Sequence, residues 1–435
     1  MKKAGLTFLG LGLVLCLIAQ DYTSYFTGNT NDAHTSPLGG ICMMGGSTEN
    51  DNAMRWFLER ADGGDVLVIR ASGSDGYNNY MYSDLGVTIN SVETIRFNGP
   101  NAANDPYVME RLAKAEAIWI AGGDQWDYVS YWRDSPVANL INEGIRQRNI
   151  VIGGTSAGMA ILGGAYFSAQ NGSITSSEAL ANPYNNDMTV QNEPFLDVPF
   201  LEDVITDTHY DQRERRGRHL AFLARAQTDF GQSYRGIACN ENTAVCITTG
   251  GIAYVYGTYP DYDDTAYFLT VNCEVNNNQP EQCAPNQPLT WDQNNAAIKV
   301  YAVKGTPTGL YQFDLSDWKT GSGGDWESWS VNNGQFQQMD SQIPNCLPSS
   351  SSEVTSQYDF KIYPNPANGS RFSLDLPEDD FCSVQLYDIS GRFLNQWTRL
   401  YGHAELFWDF PVKGVYVIEI QSLRHGRGAY QLVVK

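Results

Sequence analysis

From Asn149 to Gly164 the chain reads Asn-Ile-Val-Ile-Gly-Gly-Thr-Ser-Ala-Gly-Met-Ala-Ile-Leu-Gly-Gly. Ile150, Val151 and Ile152 form an apolar run without alternation, the pattern of a strand buried in a parallel sheet. Gly154-Thr155-Ser156-Ala157-Gly158 then fits G-x-S-x-G, the nucleophile elbow, and the apolar residues from Met159 predict the start of a helix. A serine on a sharp strand-to-helix turn needs small neighbours, because a larger side chain would collide with the turn. The same turn lifts the hydroxyl into a cleft and aims the next amide at a developing oxyanion. A glycine-rich loop of this length also arises by chance, so the motif has to be read with its surroundings.

Those surroundings alternate strand and helix. Ile41 to Met44, Asp65 to Ala71, Val92 to Phe97 and Ala117 to Ala121 read as strands. Asn50 to Ala61, Tyr107 to Lys114 and Val137 to Arg148 carry helical spacing. This rhythm predicts an α/β fold with a parallel sheet wrapped on both faces. Active sites in such sheets lie beyond the carboxyl ends of the strands. Gly45-Gly46, Gly122-Gly123 and Gly153-Gly154 are all expected there, lining one cleft.

A serine nucleophile needs a base, and the chain has only five histidines. His34 lies in a polar N-terminal segment, and His403 and His425 lie in a C-terminal region of different character. His209 and His219 remain. His209 follows the strand-like run Phe200 to Asp207 and is the better placed; His219, inside a helical stretch from Arg215 to Ala226, reads as a surface or capping group. For the orienting carboxylate, Glu241 sits in a polar island between two apolar runs, where burial without a partner would be costly. Asp207, two residues before His209, competes for that role. The order Ser, His, Glu disfavours an α/β-hydrolase, in which the acid precedes the histidine.

Gly122-Gly123-Asp124-Gln125, Gly154 to Gly158, Asp207-Thr208-His209-Tyr210, the arginines at 213, 215 and 218, and Asn240-Glu241-Asn242-Thr243-Ala244 together resemble the cyanophycinases. These belong to the serine peptidase family that includes aspartyl dipeptidase. The resemblance covers roughly residues 38 to 260. It implies a flavodoxin-like sheet, related to class I glutamine amidotransferases, with Ser156 as nucleophile, His209 as base and Glu241 as orienting acid. It further implies oxyanion amides from Gly123 and Ala157, and a substrate pocket lined by Gln125, Asp207, Arg213, Arg215 and Arg218. Cyanophycin, an aspartate backbone with arginine on each side-chain carboxyl, or a related aspartyl peptide, is the implied substrate. The chain departs from the family at Thr208, where glutamine is usual, and at Asn240, where aspartate is common. Read without the resemblance, four arginines between 213 and 218 are either a solvated face or a fork for a substrate carboxylate.

Lys2 and Lys3 followed by the uncharged stretch Leu6 to Ala19 have the form of a signal peptide, so residues 1–19 are expected to be removed and the protein exported through the periplasm to the cell surface or medium. A formal charge of −21 argues against a nucleic-acid partner and suits a soluble protein. Of the eight cysteines, Cys273 and Cys283 bracket a polar loop and are expected to pair, whereas Cys42 and Cys246 read as buried thiols. No metal-ligand spacing appears, and no cofactor is expected; a homodimer is compatible with the pattern. The catalytic domain is expected over 20–345, with an appended β-rich region from about 258 that wraps its edge; Trp318, Trp326 and Trp329 there are expected to pack loops, with sugar or arginine binding as the alternative. A Ser-rich linker follows over 346–358. Residues 359–435 read as a small all-β sandwich. Its motifs, Lys361 to Ala367, Val384 to Arg392, Gly414 to Ile418 and the terminal Leu432 to Lys435, resemble the C-terminal sorting domain of proteins exported by the type IX secretion system of Bacteroidetes-type bacteria. The secretion machinery is the implied partner. Two classes of function follow: a secreted serine peptidase acting on cyanophycin or aspartyl peptides, and a catalytically silent relative that binds surfaces.

Overall fold

In a computed structural model, residues 20–345, 360–367, 371–377, 381–388, 393–408, 413–422 and 426–435 are described. The signal peptide and the Ser-rich linker read from the sequence lie outside these residues. The chain divides into two compact units, Met1–Asn345 and Cys346–Lys435.

The first unit is built on β1 (Tyr22–Gly28), β2 (Gly40–Met44), β3 (Asp65–Arg70), β4 (Ser91–Phe97), β5 (Ala117–Ile120) and β6 (Val151–Thr155). β4, β3, β5, β6 and β2 lie side by side in that order, all parallel. Strands β3 to β6 therefore follow the 2-1-3-4 start of a flavodoxin-like sheet, and β2 takes the fifth place beside the elbow strand. Both faces are covered, which is why β2, β3 and β5 read as apolar runs, whereas β4 buries Glu93 and Thr94 among its apolar residues. Leu67, Ile69, Ile118, Ile120 and Ile152 point to one face, against Val108, Leu112, Tyr128, Trp132 and Ile141 of three helices. Val66, Val68, Trp119 and Val151 point to the other, against Met54, Phe57 and Leu58 of helix Asp51–Glu59. Helix starts are marked by side-chain caps from Asn50, Asp105, Asp124 and Ser135, each satisfying amides that the helix leaves without partners.

Three features differ from the sequence reading. First, β1 pairs antiparallel with β4 at the sheet edge, where no strand was expected. Second, Gly153 lies inside β6: a Cβ there would stand 2.7 Å from the Trp119 ring and 2.6 Å from the Cys42 carbonyl oxygen. Third, the helix after Ser156 lasts only from Ala157 to Ala160. It stops because Gly163 and Gly164 run against the backbone at Val204 and Glu202, with room for no side chain.

The larger correction is a second sheet. Strands Val204–Asp207 and Arg235–Cys239 are parallel to each other, and they continue antiparallel through Thr265–Val271, Ile298–Lys304, Gly324–Asn332 and Gln335–Asp340. After Cys239 the chain crosses back, and Ala244–Ile247 pairs antiparallel with β2 in the first sheet. The appended region thus extends both sheets instead of wrapping one edge; Trp329 is fully buried and Trp318 nearly so. Cys283 is a free thiol, so the expected Cys273–Cys283 disulfide is not made, although Cys273 is disulfide-bonded. Cys42 and Cys246 are buried and unpaired, facing each other across the β2 ladder with sulfurs 3.7 Å apart.

The second unit is all-β. Lys361–Tyr363, Arg371–Asp375 and His403–Phe407 form one antiparallel sheet, and Phe393–Leu400, Cys382–Asp388, Gly414–Ser422 and Gly426–Val434 form another. Alternate residues, among them Phe372, Leu374, Val384, Leu386, Ile418 and Ile420, make a shared core, the period-2 pattern of sheets with one buried face.

Candidate active site

Ser156 sits at the carboxyl end of β6 with φ 50° and ψ −113°, a left-handed conformation that strains any residue with a Cβ. The two motif glycines make it possible. A Cβ on Gly158 would lie 2.1 Å from the Ile120 carbonyl oxygen, and one on Gly154 would lie 2.6 Å from the Gly158 backbone. The turn is pinned from the neighbouring strand, where the Ser156 amide donates to the Met44 carbonyl at 3.0 Å.

His209 arrives from the second sheet, two residues past Val204–Asp207. Its own φ is 47°, and its amide donates to the Gly45 carbonyl at 2.8 Å. The ring lies flat against Gly46, where a Cβ would stand 2.4 Å from Cε1. Gly45-Gly46 therefore lets the histidine lie against the backbone. Nε2 is 2.7 Å from Ser156 Oγ, and Nδ1 is 2.6 Å from Glu241 Oε1. With Nδ1–H donating to the Glu241 carboxylate, Nε2 is free to accept the serine proton. Glu241 lies on the crossover between the two sheets, so the Ser-His-Glu chain spans their junction.

Burial lowers the His209 pKa from its usual value; the hydrogen bond that His209 gives to Glu241 opposes this, while Arg213 and Arg215 push the same way as burial. The shift favours the neutral ring, the form a general base needs.

Ser156 and His209 open on a cavity of about 260 Å³ that is also lined by Gly123, Gln125, Ala157, Asp207, Arg213, Arg215 and Arg218. Every residue predicted for the site reaches this cavity, except Glu241, which stands behind His209. Their roles differ more than the sequence suggests. Asp207 takes no part in orienting His209; its carboxylate is forked by Arg218, with Nε at 2.8 Å from Oδ2 and a second nitrogen at 2.5 Å from Oδ1. Burial works to raise the Asp207 carboxyl, but Arg218 and Arg215 hold it below its ordinary value. Arg218 also donates to the Ile174 carbonyl at 3.1 Å and is only 3% exposed. Arg215 donates to the Thr208 carbonyl at 2.8 Å, and burial brings it down to about 10. The side chain of Arg213 has no hydrogen-bond or ion-pair partner among the described residues, and it is exposed. Gln125 Nε2 reaches the Phe167 carbonyl at 3.4 Å.

His219 is fully buried, contrary to the surface or capping position expected for it. Nδ1 meets the Tyr210 hydroxyl and Nε2 the Ile205 carbonyl, both at 3.1 Å. Both contacts come from residues distant in the helical register, so no local pattern announces them. Gln212 is a further residue that sequence reasoning missed: its Oε1 accepts the Glu241 amide at 3.0 Å. Among the described residues no cluster of His, Cys, Asp and Glu could hold a metal ion, and no helix is long and apolar enough to cross a membrane.

Residues 44–255 match the model of Peptidase family S51, a span that contains Ser156, His209 and Glu241. The cyanophycinase of Synechococcus elongatus is 22% identical over 259 residues, which cover 57% of this chain and 76% of that protein. The cyanophycinase of Geminocystis herdmanii is 28% identical over 144 residues, covering 33% of this chain and 48% of its own. A solved peptidase from an acI-B1 Actinobacterium aligns over 53% of this chain and 91% of its own, at 15% identity and a TM-score of 0.39. The family match supports a peptidase for the matched span.

Proposed function

We propose that this chain is a serine peptidase that hydrolyses β-aspartyl-arginine linkages of cyanophycin through an acyl-enzyme. The observation that carries the reading is the continuous chain from Ser156 Oγ to His209 Nε2 at 2.7 Å and from Nδ1 to Glu241 at 2.6 Å. Ser156 Oγ attacks the scissile carbonyl carbon as its proton passes to His209 Nε2. Glu241 stabilises the imidazolium that forms. The oxyanion is assigned to the amides of Gly123 and Ala157, two residues that line the same cavity. His209 returns the proton to the departing amine; water then attacks the ester with His209 again as base, and the acid product leaves. The free Arg213 supports a substrate bearing a carboxylate beside the cleaved bond. Secretion and sorting through the C-terminal unit belong to the same proposal and rest on the sequence patterns alone.

Thr208 favours a second reading on substrate. In place of a long amide side chain it presents a short one to the cavity, which suits a related aspartyl-peptide exopeptidase. Incubating purified protein with cyanophycin and with a panel of aspartyl dipeptides separates the two readings. Ser156→Ala should fold normally and lose at least about a thousandfold in rate, because the covalent route is gone. Full activity in that variant sinks the serine mechanism. Failure of the wild type on every substrate leaves the silent surface-binding relative.

A further inference from the structure

The turn that carries His209 and the crossover that carries Glu241 come from different strands, yet their side chains must meet at 2.6 Å. Asp211, two residues past His209, and Asn240, one residue before Glu241, tie these segments together. The Asp211 amide donates to Asn240 Oδ1, and Asn240 Nδ2 donates to Asp211 Oδ2, both at 3.1 Å. Asn240 is 2% exposed, and its carboxamide accepts from an amide through one atom while donating to a carboxylate through the other.

The Asp211 carboxylate is held in turn by Tyr267 of the appended region and by Arg216 at the start of the following helix. Tyr267 donates to Oδ2 at 2.6 Å, and Arg216 Nε donates to Oδ1 at 2.8 Å. Arg216 also reaches the Tyr267 hydroxyl and Gln338 Oε1. Its guanidinium lies 4.9 Å and 5.4 Å from the Tyr267 and Trp329 ring centres. We infer that Asp211 and Asn240 are positioning residues that set the His209–Glu241 contact, braced by Arg216 from within the matched span and by Tyr267 from outside it. The inference rests on the proposed role of His209 and Glu241. It also gives the appended strands a part in catalysis that neither loop packing nor sugar binding would require.

The test is Asn240→Asp, with Tyr267→Phe as the milder variant. Aspartate at 240 sets a second carboxylate against Asp211 and removes the donated hydrogen bond, so the two segments separate. Three measurements are needed: kcat and KM per labelled site, the labelling rate of Ser156 by a fluorophosphonate, and the His209 titration by NMR. His209 is faced by Glu241, Arg213 and Arg215; losing the Glu241 bond leaves the arginines and burial unopposed. The expected result for Asn240→Asp is kcat down by on the order of a hundredfold with KM little changed, slower labelling, and a titration moved to lower pH. Tyr267→Phe should show the same pattern, smaller. A purely structural role predicts fewer labelled sites and a lower Tm, with kcat per site and the titration unchanged, and that result overturns the inference. A wild type that labels but cleaves no aspartyl peptide defeats the substrate proposal alone. A wild type that does not label defeats the nucleophile, and the NMR titration still decides the positioning role.

Discussion

Residues 209–215 and 216–222 adjoin in sequence and draw on the same two residue types for opposite ends. The turn presents His209 and Arg213 to the cavity; the helix buries His219 inside the protein and holds Arg218 in the cavity wall against Asp207. His209 has one nitrogen on a reactive hydroxyl and the other on a carboxylate, whereas His219 has one on a tyrosine and the other on a backbone carbonyl. Arg213 is open to solvent, and Arg218 spends its fork on Asp207. Residue type alone therefore says little about role here. What decides it is whether the partner of each group belongs to the protein or is left for a ligand.

The comparison breaks most visibly at Arg218. Removing one member of a buried pair leaves the other charged and unpaired, and typically costs about 3–5 kcal/mol. Arg218→Ala should therefore destabilise the catalytic unit by about that amount, read as a lower midpoint in urea with little change in slope. Loss of activity in proportion to unfolding would confirm a structural arginine. A stable, folded variant with a selectively raised KM would instead place Arg218 among the substrate contacts.

His219 offers the next test. Burial is the first cause that lowers its pKa, to about 4, with Arg218 adding to it and Asp207 and the Ile205 carbonyl opposing. The unfolded chain, with an ordinary histidine near 6.5, binds the extra proton first as pH falls. Stability from the buried neutral ring is then complete above about pH 6.5 and drains away between there and about 4, by on the order of 3 kcal/mol. Denaturation curves across that range should show the slope, and His219→Gln should flatten it. Asp207, facing the same ring with its own pKa lowered, adds a loss of the same sign at more acid pH. An unchanged slope in the variant would assign the whole effect to the carboxylates.

The elbow and the five parallel strands are legible in the sequence because apolar and β-branched residues dominate strands buried on both faces, and because close backbone approaches leave no room for a side chain at Gly154 and Gly158. His209 and Glu241 are legible by scarcity: few histidines compete, and a carboxylate between apolar runs needs a partner. The second sheet is not legible, since a strand's pattern records burial and says nothing about which sheet it joins. Nor does the sequence separate Arg213 from Arg218. Five residues apart in one arginine-rich run, they carry no local pattern that tells them apart, and only the fold brings Asp207 under one of them. The Cys273–Cys283 pairing fails for the same reason, because proximity in sequence is a poor guide to which sulfurs meet. Gln212 and Asn240 could have been suspected from their adjacency to the triad, but the hydrogen bonds that give them a role cross between strands.

Arg213 carries the smallest expected effect on the fold and the most direct one on specificity. Its side chain has no partner among the described residues, so Arg213→Ala should leave stability within about 0.5 kcal/mol of wild type, as for other surface changes. If the free guanidinium clamps a substrate carboxylate, the variant loses a bidentate pair in a partly open cavity. That places the loss in kcat/KM near the lower end of the 2–5 kcal/mol seen for such pairs, about 2 kcal/mol or some thirtyfold. Lysine should rescue poorly, because a point charge cannot reproduce the planar fork. Arg213 is also among the charges that lower the His209 pKa, so its removal should move the acid limb of the pH profile slightly upward. The decisive measurement is therefore a double comparison at a pH above that limb, wild type against Arg213→Ala on substrates with the carboxylate free or amidated. Amidated substrates should already be slow on the wild type and lose little more on the variant. Equal losses on both would mean that Arg213 acts on His209 through its charge alone, and the turn would then present a base to the cavity but no carboxylate clamp.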